Sequence, residues 1–411
     1  MATAPAQRLT FYAPCPRGAE ALLAAELEEC GAYDIVPSGG GVAFTGAATV
    51  GWRINIISRV ASRLLQRVAH GYYRNSEDVY NMARDTGWEQ WHDEKATLKV
   101  DITAIRSPLQ SLQFATLRVK DGICDRYREL TGERPNIDTW QPQRRVMVFL
   151  TQDQCTLYLD WSGEPLFKRG WRENATDAPL KENLAATMLL LSNWPKHDAF
   201  YDPFCGSGTL AIEAALMVRG MVPGANRRFG FESIKGFDST GWQRLRDFTV
   251  NDTRKKAEQT HYPPIFANDI TPGALAIARE NAQSAGLPRD AITFKQGDAL
   301  LSKAPANTGV LVTNPPYGER LDMKGRQVIT EQDQFWPMFG TVLKQEFSGW
   351  SAYVLTSDMK LPGQMRLKEV KRTPLFNGPI ECRLFAFEMY QGSRRKVANP
   401  ELANPYPSSL D

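Results

Sequence analysis

From Ala199 to Thr356 the chain alternates short apolar runs with helix-length stretches, and that rhythm leaves few folds open. The apolar runs are Ala199–Asp202, Ile265–Asn268, Ile292–Lys295, Val310–Thr313 and Ala352–Thr356. Between them, Leu210–Arg219, Ala274–Ala285 and Trp336–Phe347 read as helices. This order predicts a doubly wound parallel sheet. Two further strands, about Glu369–Arg372 and Glu381–Tyr390, are close enough in sequence to pair antiparallel. In an open sheet of this kind, ligands bind beyond the carboxyl ends of the strands, near the point where strand order reverses.

The first strand-to-helix turn of that region reads Tyr201-Asp202-Pro203-Phe204-Cys205-Gly206-Ser207-Gly208-Thr209. Gly206 and Gly208 permit a tight turn and a close ligand approach, and the helix beyond them offers unpaired N–H groups. The turn lacks the third glycine of a dinucleotide fingerprint and the Gly-Lys-Ser/Thr of a phosphate loop. Acids follow in series: Asp202 ends the first strand, Asp269 the second, and Asp298 lies just past the third. S-adenosylmethionine presents an ammonium, a ribose diol and an adenine amino group, all donors that carboxylates accept. It carries no phosphate, which suits a glycine turn without lysine. Turn residues and helix caps draw on the same acids. The expected cofactor residues are Asp202, Pro203, Phe204, Gly206, Ser207, Gly208, Asp269, Asp298 and Asn314.

A second turn, Thr313-Asn314-Pro315-Pro316-Tyr317-Gly318, follows the apolar run Val310–Val312. An exocyclic amino group on a base is a poor nucleophile, because its lone pair is delocalised into the ring. Acceptors at its two hydrogens, the Asn314 side-chain oxygen and the Pro315 carbonyl, favour a pyramidal nitrogen aimed at a methyl donor. The Pro-Pro pair stiffens the turn. Tyr317 is expected to stack on the base, worth roughly 1–3 kcal/mol in single-stranded nucleic-acid binders. The target base has to leave any duplex stack to enter such a pocket. Asn314, Pro315 and Tyr317 are thus the expected catalytic residues. The turn by itself does not choose guanine N2 over adenine N6.

The N-terminal half reads as small α/β units. Leu9–Ala13 and Val42–Phe44 are expected strands, with helices over Gly18–Cys30 and Trp52–Ala69. A strand over Leu98–Ile105, a helix over Leu117–Thr131 and a hairpin of Val146–Leu150 with Thr156–Asp160 follow. The net charge is only +3, so any case for nucleic acid has to be local. One exists: residues 35–76 contain no Asp or Glu but carry Arg53, Arg59, Arg63, Arg67 and Arg74, with Trp52, Tyr72 and Tyr73. On a helix, Arg59, Arg63 and Arg67 share one face, a candidate phosphate track, although a merely solvated face looks the same. Lys168, Arg169 and Arg172, in the polar interdomain linker Trp161–Ala178, are a second candidate.

Together these blocks resemble the bacterial class I methyltransferases that carry an N-terminal THUMP domain. The likeness is strongest to the 23S ribosomal RNA guanine-N2 methyltransferases. Further blocks that carry it are Leu117–Asp121, Tyr158–Glu164, Lys168–Arg172 and Ala178–Ala185. The resemblance implies an α/β chain: a ferredoxin-like subdomain over residues 1–60 and a THUMP RNA-binding domain over 61–160. A linker over 161–178, a Rossmann-like methyltransferase domain over 179–392 and a tail over 393–411 complete it. It implies S-adenosylmethionine as cofactor and ribosomal RNA, or an assembling large subunit, as partner. Some relatives are fused to a second methyltransferase domain, and the chain stops before any such domain, so that second activity is not expected. The long segment Val222–Pro264 also resembles the family, with no chemistry legible in it.

Other readings stay open. The same chemistry serves adenine N6 or a protein glutamine, and the chain could be an RNA-binding assembly factor with a relic transfer domain. No run of 18 apolar residues suggests a membrane span, and Met1–Ala6 lacks the pattern of a signal peptide. The six cysteines are scattered and there are only four histidines, so reduced thiols in the cytoplasm and no metal are expected.

Overall fold

The computed structural model describes residues 8–172, 180–194, 198–258, 262–315 and 332–390. Two seven-stranded sheets organise them. The first contains β1 (Leu9–Pro14), β2 (Tyr33–Ser38), β3 (Gly41–Gly46), β4 (Leu65–Tyr72), β5 (Leu98–Ala104), β6 (Arg144–Leu150) and β7 (Gln154–Asp160), in the order β2-β3-β1-β4-β7-β6-β5. The expected boundary at 60/61 falls just before β4, which pairs antiparallel with both β1 and β7. One continuous sheet therefore runs through both N-terminal units. Helices α1 (Glu20–Glu29), α2 (Ala48–Ile57), α3 (Ser76–Asp85) and α4 (Leu112–Thr131) cover it. On α1, Leu23 and Leu27 are buried as their spacing predicts, and Gly31 (φ +90°) ends the helix in the left-handed region.

The expected helix Trp52–Ala69 is a correction: α2 stops at Ile57 and the chain re-enters the sheet at Leu65. Glu26, on α1, is the physical reason. Its buried carboxylate accepts from Ser58 Oγ (2.6 Å), Arg59 N–H (3.0 Å) and Val60 N–H (3.4 Å), replacing the helical partners of the two N–H groups. Val60 and Leu64, whose spacing imitates a helix face, are fully buried from an irregular segment instead.

The expected linker is also more than a spacer. Trp161 is buried edge-on against Phe11 (ring centroids 4.9 Å), and Leu166 N–H donates to Ser62 O (2.8 Å). The segment with no legible chemistry packs here too. It forms the turn Gly230–Ser233 and helix α7 (Ser239–Glu258), labelled after α5 (Glu182–Leu191) and α6 (Thr209–Val218). Phe229, Phe231 and Trp242 join Trp52 and Trp161 in the N-terminal core. An insertion of the C-terminal region thus closes the core of the N-terminal one.

The second sheet has the expected doubly wound form. Its strands are β8 (Ala199–Asp202), β9 (Ile265–Asp269), β10 (Thr293–Gln296), β11 (Gly309–Thr313), β12 (Trp350–Thr356), β13 (Lys371–Asn377) and β14 (Ile380–Glu388), in the order β10-β9-β8-β11-β12-β14-β13. The first five are parallel, and β14 and β13 add the expected antiparallel pair. With α6, α8 (Pro272–Ser284) and α9 (Gln332–Glu346), the sheet encloses two apolar layers. Strand order reverses between β8 and β11, so the site lies at their carboxyl ends.

Candidate active site

Asp202 closes β8 and is only 1% exposed. Thr313 Oγ1, at the end of β11, donates to its Oδ1 (2.7 Å), and Phe204 N–H adds a longer bond (3.2 Å). The carboxylate thus ties together the two strands that flank the switch point. Burial raises its pKa from the ordinary 3.8 to about 7; the bonds from Thr313 and Phe204 oppose the rise, and the charge of Asp269 adds to it.

The glycine turn hangs on the end of β9. Cys205 N–H donates to Asn268 O (2.9 Å), and Gly206 N–H donates to Asp269 Oδ2 (2.9 Å). Gly206 (φ +50°) and Gly208 (φ +85°) adopt the left-handed conformation. A β-carbon at Gly208 would stand 3.0 Å from that of Ala278 on α8, so the residue is required for packing as well as for φ. The other Asp269 oxygen accepts from Thr271 N–H (2.9 Å). Asn268 is a site residue that the sequence reading missed. Buried, it donates from Nδ2 to Gly297 O (2.9 Å), linking the ends of β9 and β10. Its signal was a polar amide inside an apolar run.

Asp298 accepts from Leu300 N–H through Oδ1 (2.9 Å), while its buried Oδ2 has no hydrogen-bond partner among the described residues. The Asn314 side-chain oxygen is likewise buried and unpartnered among them. Pro315 is buried, whereas Pro316 and Tyr317 lie outside the described residues. Two bare acceptors at the carboxyl edge of a sheet call for donors from elsewhere. The ammonium, diol and adenine amino group of S-adenosylmethionine are such donors for Asp298, and a target amino group is one for Asn314, so the residues present fit that cofactor.

The candidate RNA contacts divide. Arg59 and Arg63 do not form a stripe with Arg67, because no helix carries them. Arg59 pairs with Glu213 of α6 (3.7 Å) and donates to Met221 O (2.6 Å); Arg63 pairs with buried Asp160 and donates to Gly163 O (2.5 Å). Arg169 is buried against Glu213 (3.3 Å) and Arg59 O (2.7 Å). Arg172 is half-buried and points at the glycine turn. These four are held by the fold rather than offered to phosphate. Trp52 and Tyr73 are core residues. Arg67 is exposed and lines, with Tyr72, Arg74 and Trp91, an open cleft of about 840 Å³. Arg53 lines a groove of about 580 Å³ between α2 and α7, and Lys168 is exposed beside Glu164 (2.7 Å). Among the described residues no helix is long and apolar enough to cross a membrane, and no group of three metal-ligating side chains gathers. The six cysteines are all buried, and none is joined in a disulfide among the described residues.

Three family descriptions match consecutive stretches of the chain. They are an RlmL ferredoxin-like domain over residues 10–65, a THUMP domain over 73–160 and an RMKL-like methyltransferase domain over 169–386. A curated relative from Shewanella baltica (strain OS155 / ATCC BAA-1091), named ribosomal RNA large subunit methyltransferase K/L, is 37% identical over 393 residues. That alignment covers 94% of this chain and 54% of the relative, so the chain spans about half the length of the curated relatives it matches. The solved structure of SMU.472 complexed with SAH superposes with a TM-score of 0.81 at 28% identity, covering 95% of this chain and all (100%) of that one. A structure from Listeria monocytogenes, described as a predicted N6-adenine-specific DNA methylase, has a TM-score of 0.76 at 30% identity over 93% and 97% of the two chains.

Proposed function

The chain belongs to the RMKL-like methyltransferase domain family, and we propose that it methylates the N2 amino group of a guanine in 23S ribosomal RNA. S-adenosylmethionine is the cofactor; bound, it supplies an electrophilic methyl group on a sulfonium. Asp202 and the turn to Gly208, with Asp269 and Asp298, would hold and orient it. Asn314 Oδ1 and the Pro315 carbonyl would each accept one hydrogen of the target amino group, so that its lone pair faces the methyl. The amino nitrogen would take that methyl group, leaving a thioether behind, and would then release a proton to water. Tyr317 would stack on the flipped base. No general base is needed, because the proton leaves after transfer.

The observation that carries this reading is the buried side-chain oxygen of Asn314, without a partner among the described residues and beside the strand that starts the glycine turn. The matched THUMP domain and the curated ribosomal RNA relative support RNA as the substrate class, met as ribosomal RNA or within an assembling large subunit. Adenine N6 is the second reading, favoured by the similarity to the Listeria protein. The deciding experiment incubates the protein with labelled S-adenosylmethionine and unmodified ribosomal RNA, with DNA in parallel, and digests the products to nucleosides. Label in N2-methylguanosine is expected. Label in N6-methyladenosine, or in DNA alone, overturns the guanine assignment. No incorporation despite bound cofactor would leave an RNA-binding protein without transfer activity.

A further inference from the structure

We infer that Arg172 is a positioning residue for the cofactor: it holds the glycine turn in its binding shape from a segment outside the sheet. The inference rests on the reading that the turn Asp202–Gly208 holds S-adenosylmethionine. The Arg172 guanidinium spans the start of α6. Nη1 donates to Ser207 Oγ (3.0 Å), and Nη2 donates to Thr209 Oγ1 (2.9 Å) and to Leu180 O (3.2 Å). Nε donates to Glu182 Oε1 (2.9 Å), a carboxylate buried at the start of α5. Ser207 and Thr209 are themselves 3% and 4% exposed, and the Arg172 side chain is 16% exposed, so the contacts are largely shielded from water.

The two hydroxyls flank Gly208, which stands at the N-cap of α6 with φ +85°. Serine and threonine at such a place ordinarily turn back to accept from the first N–H groups of their own helix. Here they accept from Arg172 instead, and the N-cap residue, Gly208, has no side chain to cap α6. The arrangement leaves the first-turn N–H groups for a ligand, at the helix end that favours anionic or electron-rich atoms. A planar fork with fixed donor directions is required to reach both hydroxyls and the carboxylate at once. A lysine ammonium would keep the charge and lose the span. Arg172 therefore acts through the turn and not by touching the reacting atoms.

The test measures binding of S-adenosylhomocysteine to the full chain by titration calorimetry, for wild type, Arg172→Ala, Arg172→Lys and the double variant Ser207→Ala/Thr209→Val. The expected result is a loss of about tenfold to a hundredfold in affinity for Arg172→Ala, since hydrogen bonds to charged groups carry that order of effect. Arg172→Lys should lose nearly as much. Added ethylguanidinium should restore affinity to Arg172→Ala and leave wild type unchanged, a rescue that a general loss of packing would not show. Combining Arg172→Lys with the hydroxyl deletions should cost little beyond either alone. Affinity of folded Arg172→Ala within twofold of wild type overturns the inference. If Arg172→Ala does not fold, additive losses in the lysine and hydroxyl cycle overturn it. Failure of the wild type to bind S-adenosylhomocysteine would sink the cofactor reading itself, which separates the two outcomes.

Discussion

Asn314 and Asp202 stand on opposite sides of the switch point with opposite hydrogen-bond states: the amide oxygen of Asn314 has no partner among the described residues, while Asp202 is tied to Thr313. Asn314→Ala should lower single-turnover methyl transfer by at least about a hundredfold, as loss of a positioned acceptor does at other active sites. Affinity for S-adenosylhomocysteine should change by less than about tenfold. Loss of both together would mean that Asn314 belongs to the cofactor site. Asp202 makes a pH prediction. Its folded pKa, raised to about 7 by burial, lies above that of the unfolded chain, so between roughly pH 4 and 7 the folded state holds a proton that the unfolded state has released. The ligand-free protein therefore loses stability from this group as pH rises through that window, and the loss is complete above pH 7. Asp202→Asn keeps an acceptor for Thr313 and does not titrate. Melting curves from pH 5 to 8 should show a smaller decline for the variant; identical slopes would mean that Asp202 is ionised throughout.

At the scale of elements, the chain from Trp52 to Ala69 shows where pattern reading breaks down. Ile57, Val60 and Leu64 repeat at helical spacing and are largely buried, yet α2 ends at Ile57. Periodicity records which side chains are covered, not the backbone path that covers them. The deciding partner is Glu26, more than thirty residues away, whose carboxylate takes the N–H groups that a continuing helix would have used. Removing it orphans three buried donors. Glu26→Ala should thus cost about 2–4 kcal/mol in urea unfolding, with the m-value unchanged. A cost below about 0.5 kcal/mol would show that water replaces the carboxylate. The second sheet was legible for the opposite reason. Its strands are short, apolar and separated by helices, so local pattern and tertiary placement agree.

Across the whole molecule, the N-terminal sheet and the transfer domain are one packed body at their junction. Glu213, fully buried on α6, faces both Arg59 and Arg169. Glu213→Ala would leave two guanidiniums without their shared carboxylate, at a cost of about 3–5 kcal/mol, to be read from chemical unfolding. The aromatic insertion makes a further prediction. A fragment ending at Arg172 lacks Phe229, Phe231 and Trp242, and so bares Trp52 and Trp161. It should bind the dye ANS and aggregate at concentrations where the full chain is monodisperse. A fragment that melts cooperatively without ANS binding would show that the N-terminal sheet closes its core unaided.

The sequence by itself determined the doubly wound sheet, the order of acids along it and the glycine turn at its carboxyl edge. Those features are local: a glycine at positive φ and an acid at a strand end are each specified by a few adjacent residues. Only the tertiary structure decided what the arginines do. Arg59, Arg63, Arg169 and Arg172 read as a surface for phosphate, because charge in a sequence looks solvated until a partner is brought to it. Their partners Glu213, Asp160 and Glu182, and the hydroxyls of Ser207 and Thr209, come from other elements. A buried charge needs a distant counter-charge, and that pairing exists only once the chain has folded.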